Sequence, residues 1–107
     1  MILSFSIDYR TNWGESLYLK AMVPAEGGVS EWVVKLDLFG SQTWKTQIEL
    51  PDGTPDFAYR YFVRHENGAE KHEWGKGHWF RAGKGVRSHE LFDRWQDQPW
   101  DKPYYSV

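Results

Sequence analysis

"FAYRYFV" (residues 57–63) alternates Phe57, Tyr59, Tyr61 and Val63 with Ala58, Arg60 and Phe62. Residues two apart share one face of a strand, so this spacing predicts a β-strand with one largely aromatic face. The same period continues on both sides. "LSFSID" sets Leu3, Phe5 and Ile7 against Ser4, Ser6 and Asp8. "LYLKAMV" reads as a strand that runs until Pro24. "WVVKLDLF" places Trp32, Val34, Leu36 and Leu38 on one face, and "WKTQIEL" does so with Trp44, Thr46, Ile48 and Leu50. "VRSHELFDRW" supplies one more strand, with a short helix-like spacing near residues 89–96.

Turn chemistry separates these runs. "TNWGES", "GSQT" and "PDGTPD" carry the Gly, Asn, Asp and Pro of turns, and "PAEGGVSE" reads as a loop. "HENGAEKHEW" reads as a hairpin closed by a two-residue type I′ turn at Asn67-Gly68. Seven or eight short strands at this spacing predict an all-β fold, an antiparallel immunoglobulin-like β-sandwich. A chain of 107 residues holds one such core. The domain is expected over residues 1–96. The tail over 97–107, with its prolines and no period, reads as a linker or the start of a connection to a following domain.

The absence of cysteine excludes disulfides and thiolate metal sites, which fits a reducing, cytoplasmic setting. "MILSFSIDYR" lacks the pattern of a signal peptide, and no apolar run reaches the length of a membrane helix. Net charge is −2, with 13 basic and 15 acidic residues interspersed, so neither a membrane nor nucleic acid is the expected partner. The unusual feature is aromatic: seven Trp, six Tyr and six Phe exceed what so small a core can hold. Some rings must face outward.

Catalytic motifs are lacking. "GKGHWFRAGKG" is glycine-rich, yet no helix follows it to make a phosphate loop. His65, His72, His78 and His89 do not have metal-ligand spacing, since His65 and His72 fall on opposite arms of one hairpin. Glu66, Glu70 and Glu73 lie around that hairpin, where the cleft that paired glycosidase carboxylates need is not expected. No cofactor, metal or catalytic residue is predicted.

Five stretches in order carry a family likeness: "NWGESLYLKA", "TWKTQIELPDG", "FAYRYFV", "HEWGKG" and "LFDRWQ". Over residues 2–96 the chain resembles a starch-binding domain, the family-20 carbohydrate-binding module. "YRTNWGESL" and the ending "FDRWQDQPWDKPYYSV" look closest to the N-terminal modules of amylomaltase-type disproportionating 4-α-glucanotransferases. The resemblance implies a non-catalytic module that binds α-glucan (starch, glycogen or maltooligosaccharide) and contacts other domains of a larger enzyme.

The family's two sugar sites map unevenly. Its hairpin tryptophan matches Trp74, its strand cation matches Arg60, and the aromatic before the first turn glycine matches Trp13. Ala58 stands where the family has an acid. The family's Leu-Gly-Asn-Trp loop is replaced by "PAEGGVSEW", which puts Val29 at the tryptophan position and Trp32 three residues later. "GHWF" replaces the polar pair after the hairpin ring. Tryptophan suits the task because a sugar's C–H face stacks on its large, rigid ring, and Lys76, Glu73, His78 and Arg60 can bond the hydroxyl rim. Trp44 and Trp95 read as core, and Trp79 leans to the core edge. The alternative is a module whose aromatics dock another domain of the same enzyme; a small hydrolase is the third reading.

Overall fold

The computed structural model describes residues 1–51, 53–73, 77–81 and 88–96. Among them are nine strands: β1 Ile2–Asp8, β2 Glu15–Ala25, β3 Gly28–Lys35, β4 Asp37–Phe39, β5 Thr43–Glu49, β6 Phe57–His65, β7 Glu70–His72, β8 His78–Phe80 and β9 Ser88–Arg94. They form two sheets, ordered β4-β5-β1-β9 and β3-β2-β6-β7, with β8 also on β6. This is the expected all-β sandwich. One pairing is not antiparallel: β9 runs parallel to β1, from Ile2 opposite Ser88 to Asp8 opposite Arg94.

The core lies between the sheets and follows the period-2 reading. Leu3, Phe5 and Ile7 meet Leu17, Leu19, Phe57, Tyr59, Tyr61 and Val63, all buried. Phe5 packs edge-on against Tyr59 at 5.0 Å between ring centroids. Trp44 is buried, as expected, and its indole N–H donates to the Tyr9 carbonyl at 3.1 Å. Trp95 is half-buried at the rim of the core, its ring 4.5 Å from that of Tyr9.

Several local readings change. The loop expected from Pro24 onward is mostly strand: β2 runs through Pro24 to Ala25, and Ala25 pairs with Gly28 across a tight turn. Proline is tolerated there because β2 stops pairing with β6 at Met22, so one neighbour has gone. Leu38 is exposed rather than inward. The chain leaves the five-stranded sheet at buried Leu36 and enters the other sheet as β4, so one parity does not span both.

The hairpin after β6 is real, but its turn differs. Arg64 pairs with Glu70, and the Gly68 N–H donates to the His65 carbonyl at 2.8 Å. Gly68 alone has positive φ, whereas a type I′ turn also needs it at the preceding residue. The connection is therefore the longer kind, a type I turn followed by a glycine bulge. The helix-like spacing near residues 89–96 gives way to β9, whose alternate residues pack beside β1.

Candidate functional site

Trp13 is 95% exposed in the turn between β1 and β2. The turn is held by the Glu15 N–H donating to the Asn12 carbonyl, and by the Asn12 N–H donating to the Glu15 carboxylate. Gly14 has φ +84, and a Cβ there would lie 3.1 Å from His65 Nε2. The positive φ favours glycine and the His65 side chain leaves little room for another residue, so the ring is presented on a well-held turn.

Beside this turn is an open groove of about 390 Å³, lined among others by Gly14, Tyr18, Lys35, Arg64 and Glu66. Behind it the outer face of the sheet carries a row of stacked rings. Tyr18 and Phe62 stack at 5.2 Å, and Phe62 and His72 at 4.8 Å. The Arg64 guanidinium covers both Tyr18 and Phe62 and binds Glu70 at 2.7 Å. This explains why Phe62 is buried although strand parity points it outward.

The second expected site centres on Trp74. Trp74 and Lys76 lie outside the described residues, but both ends of their segment are defined. β7 and β8 share one edge of β6: β7 pairs with Phe62–Arg64 and β8 with Phe57–Tyr59. The ladder is interrupted between them, and Glu73 fills the gap. Its N–H donates to the Tyr61 carbonyl at 3.2 Å, and its carboxylate accepts the Tyr61 N–H at 2.8 Å. That satisfies a backbone group that would otherwise be buried unpaired.

Glu73 is buried, and its carboxylate also accepts the Gln96 N–H at 2.8 Å and a His78 Nε2 contact at 2.9 Å. The other face of the His78 ring looks to Asp93, with Nδ1 3.5 Å from Oδ1. Asp93 in turn accepts the hydroxyls of Tyr59 and Tyr61, at 2.9 and 2.7 Å to Oδ2. Burial, then the charge of Asp93 and its hydrogen bond, raise both tyrosines above their usual range, so they stay protonated donors. Burial alone would lower His78; the hydrogen bond and charge of Glu73, with the charge of Asp93, outweigh it and raise the imidazole. A protonated imidazole donates from both nitrogens and serves both carboxylates at once.

Glu73 and His78, expected to bond a sugar's hydroxyls, have their polar atoms engaged inside the fold. Asp93, not expected from sequence, completes the group. Its parity with Leu91 in "LFDRW" is the signal, since both face inward from β9. Arg60 is on the outer face, with Nη1 3.5 Å from the Glu73 carbonyl. A Cβ at Gly77 would lie 3.5 Å from its Nη2, so Arg60 lies beside both ends of the Trp74 segment. Trp32, the candidate loop partner of Trp74, lies opposite Ala21 and is half-buried against the core. Trp79, read as core edge, is 54% exposed, because Phe80 takes the inward position and parity turns Trp79 out.

Among the described residues, no cluster of His, Asp and Glu has the arrangement of a metal site. No known family profile matches the sequence, and no curated protein does. Solved structures do. The chain is similar in fold to part of gamma-CGTase from Alkalophilic bacillus clarkii, at 19% identity and TM-score 0.63 over 89% of this chain. It is also similar to part of a glycoside hydrolase family 15 glucoamylase from Hypocrea jecorina, at 21% identity and TM-score 0.66 over 90% of this chain. The match spans 15% and 17% of those two chains, so what is shared is the fold of one small unit within each larger enzyme.

Proposed function

We propose that this chain is a non-catalytic α-glucan-binding module of a larger cytoplasmic enzyme, a 4-α-glucanotransferase of the amylomaltase type. The observation that carries this reading is Trp13: a 95% exposed indole held on a glycine turn, with no core role. Such a ring offers a flat apolar face to a sugar with little conformational entropy left to lose. The fold likeness to units of two carbohydrate-active enzymes supports it. Trp74 with Arg60 and Lys76 forms the second proposed site, supported by the family likeness and by Arg60 beside both ends of that segment.

Titration with maltoheptaose or β-cyclodextrin, followed by tryptophan fluorescence and calorimetry, tests the reading. The expected result is millimolar-range binding or tighter, with Trp13→Ala and Trp74→Ala each losing affinity. Base stacking on aromatic platforms is worth roughly 1–3 kcal/mol, and a sugar stack is expected in or below that range. If neither substitution weakens binding, the two-site proposal fails.

A second reading has one specific support. Trp79 and Val33, both at least half exposed, lie on the outer face of the five-stranded sheet, where an apolar partner surface would cover them. Docking of another domain of the same enzyme on that face predicts no response to sugar at all.

A further inference from the structure

The outer face of the four-stranded sheet holds a shallow trough of about 290 Å³, apart from the Trp13 turn and the Trp74 hairpin. Its floor comes from two adjacent strands, with Ser6 and Asp8 on β1 and Thr43 and Lys45 on β5. The register sets Ser6 opposite Lys45 and Asp8 opposite Thr43. On the other side, Ser6 is opposite Phe92 of the edge strand β9. Parity fixes this arrangement: Phe5 and Ile7 enter the core, so Ser6 and Asp8 must face out.

Phe92 forms the wall and is 76% exposed. A single exposed phenylalanine is ordinary. This one borders a cavity whose other outward groups are two hydroxyls, one carboxylate and one ammonium; Ile7 and Asp93 complete the lining, and the Asp93 carboxylate is already engaged by the Tyr59 and Tyr61 hydroxyls. The Thr43 hydroxyl donates to Asp8 Oδ1 at 2.8 Å, which leaves acceptor capacity on the carboxylate and on the hydroxyl oxygen. Lys45 Nζ lies over the Phe39 ring at 5.5 Å from its centroid, which holds the ammonium on the β4 side of the trough.

Those groups define the ligand. Asp8 disfavours an anion and Lys45 disfavours a cation, so neither charge sign is selected. Both donors and acceptors are offered beside one flat apolar face, which is the complement of a neutral polyhydroxylated ring. We propose that this trough is a further saccharide subsite, in which Phe92 stacks on a glucose unit while Asp8, Ser6, Thr43 and Lys45 bond its hydroxyls. The volume, near the lower end of the roughly 300–1,000 Å³ of small-molecule sites, suits about one or two sugar units. The inference rests on the α-glucan reading above and extends it to the opposite sheet.

The test is a maltoheptaose titration of the 107-residue chain followed by amide chemical shifts, on the wild type, Phe92→Ala and Lys45→Ala. The expected result is shifts at Ser6, Asp8, Thr43, Lys45 and Phe92 as well as at Trp13. Phe92→Ala then weakens the trough response by about tenfold or more while the Trp13 response saturates unchanged. Lys45→Ala weakens the trough response in the same direction. Shifts at Trp13 or Trp74 with the trough silent, or trough shifts that survive Phe92→Ala, overturn the subsite and leave the module reading standing. Silence throughout overturns both.

Discussion

Gly77 has φ +77, and a Cβ there would fall 2.8 Å from the Tyr59 carbonyl oxygen, a backbone atom that cannot move aside cheaply. Gly53 has a similar φ of +83 but nothing within 4 Å. The pair separates conformational strain from steric conflict. Gly77→Ala is expected to cost about 1–3 kcal/mol by urea denaturation, and Gly53→Ala clearly less. Trp13→Ala is the opposite case. It should leave stability within about 0.5 kcal/mol, because the ring touches no core, while lowering glucan affinity. A large stability loss in that variant would show that the turn depends on the indole. At this scale the sequence was legible where one residue had one role. Trp44 heads an apolar strand face and is buried, while Trp13 interrupts a turn and is exposed. Trp79 was not legible, because β8 is only three residues long and its parity depends on where Gly77 lets the chain rejoin β6.

β6, β7, β8 and β9 meet on one buried carboxylate, one half-buried carboxylate and one imidazole. Glu73 ends the β7 arm, His78 begins β8, and Asp93 comes from β9 in the other sheet. Removing one partner leaves the others desolvated and unpaired, so Glu73→Ala should lose about 3–5 kcal/mol. Glu73→Gln should lose less, since an amide oxygen can still accept the Tyr61 N–H. His78 gives this junction a pH dependence. Its folded-state value is raised above the usual 6.5, so its contribution is complete below that pH and fades as pH rises through the raised value. The melting temperature of the wild type should therefore fall on going from about pH 6 to pH 9, and His78→Gln should flatten that slope. An unchanged slope in the variant would remove His78 from the account. Only the inward parity of Asp93 is visible in local spacing; the junction as a whole is not, because it joins four strands across an interrupted ladder. The strands themselves were visible. Phe57, Tyr59, Tyr61 and Val63 announce β6, whereas the end of β2 was misplaced because proline is a reliable stop only where both neighbours are paired.

On the scale of the whole molecule, the proposed sugar sites are separate surfaces of one rigid sandwich. Sites that are weak singly gain on a polymer by effective concentration, provided one chain can reach two of them. Long glucan should bind more tightly than maltotriose per site, and that preference should shrink in either Trp13→Ala or Trp74→Ala. Equal affinities for short and long ligands would mean that the sites act alone. The parallel pairing of β1 with β9 has a different consequence, a mechanical one. Ile2 faces Ser88 and Asp8 faces Arg94, so the incoming end of β1 and the outgoing end of β9 lie at opposite ends of one ribbon. Tension applied through the two chain ends pulls these neighbours lengthwise past each other. Every hydrogen bond between them is then strained together, whereas a hairpin such as β2–β3 pulled from its open end peels one bond at a time. A single-molecule pulling experiment should show a higher rupture force through residues 1 and 96 than through handles at residues 18 and 35, which face each other near the open end of that hairpin.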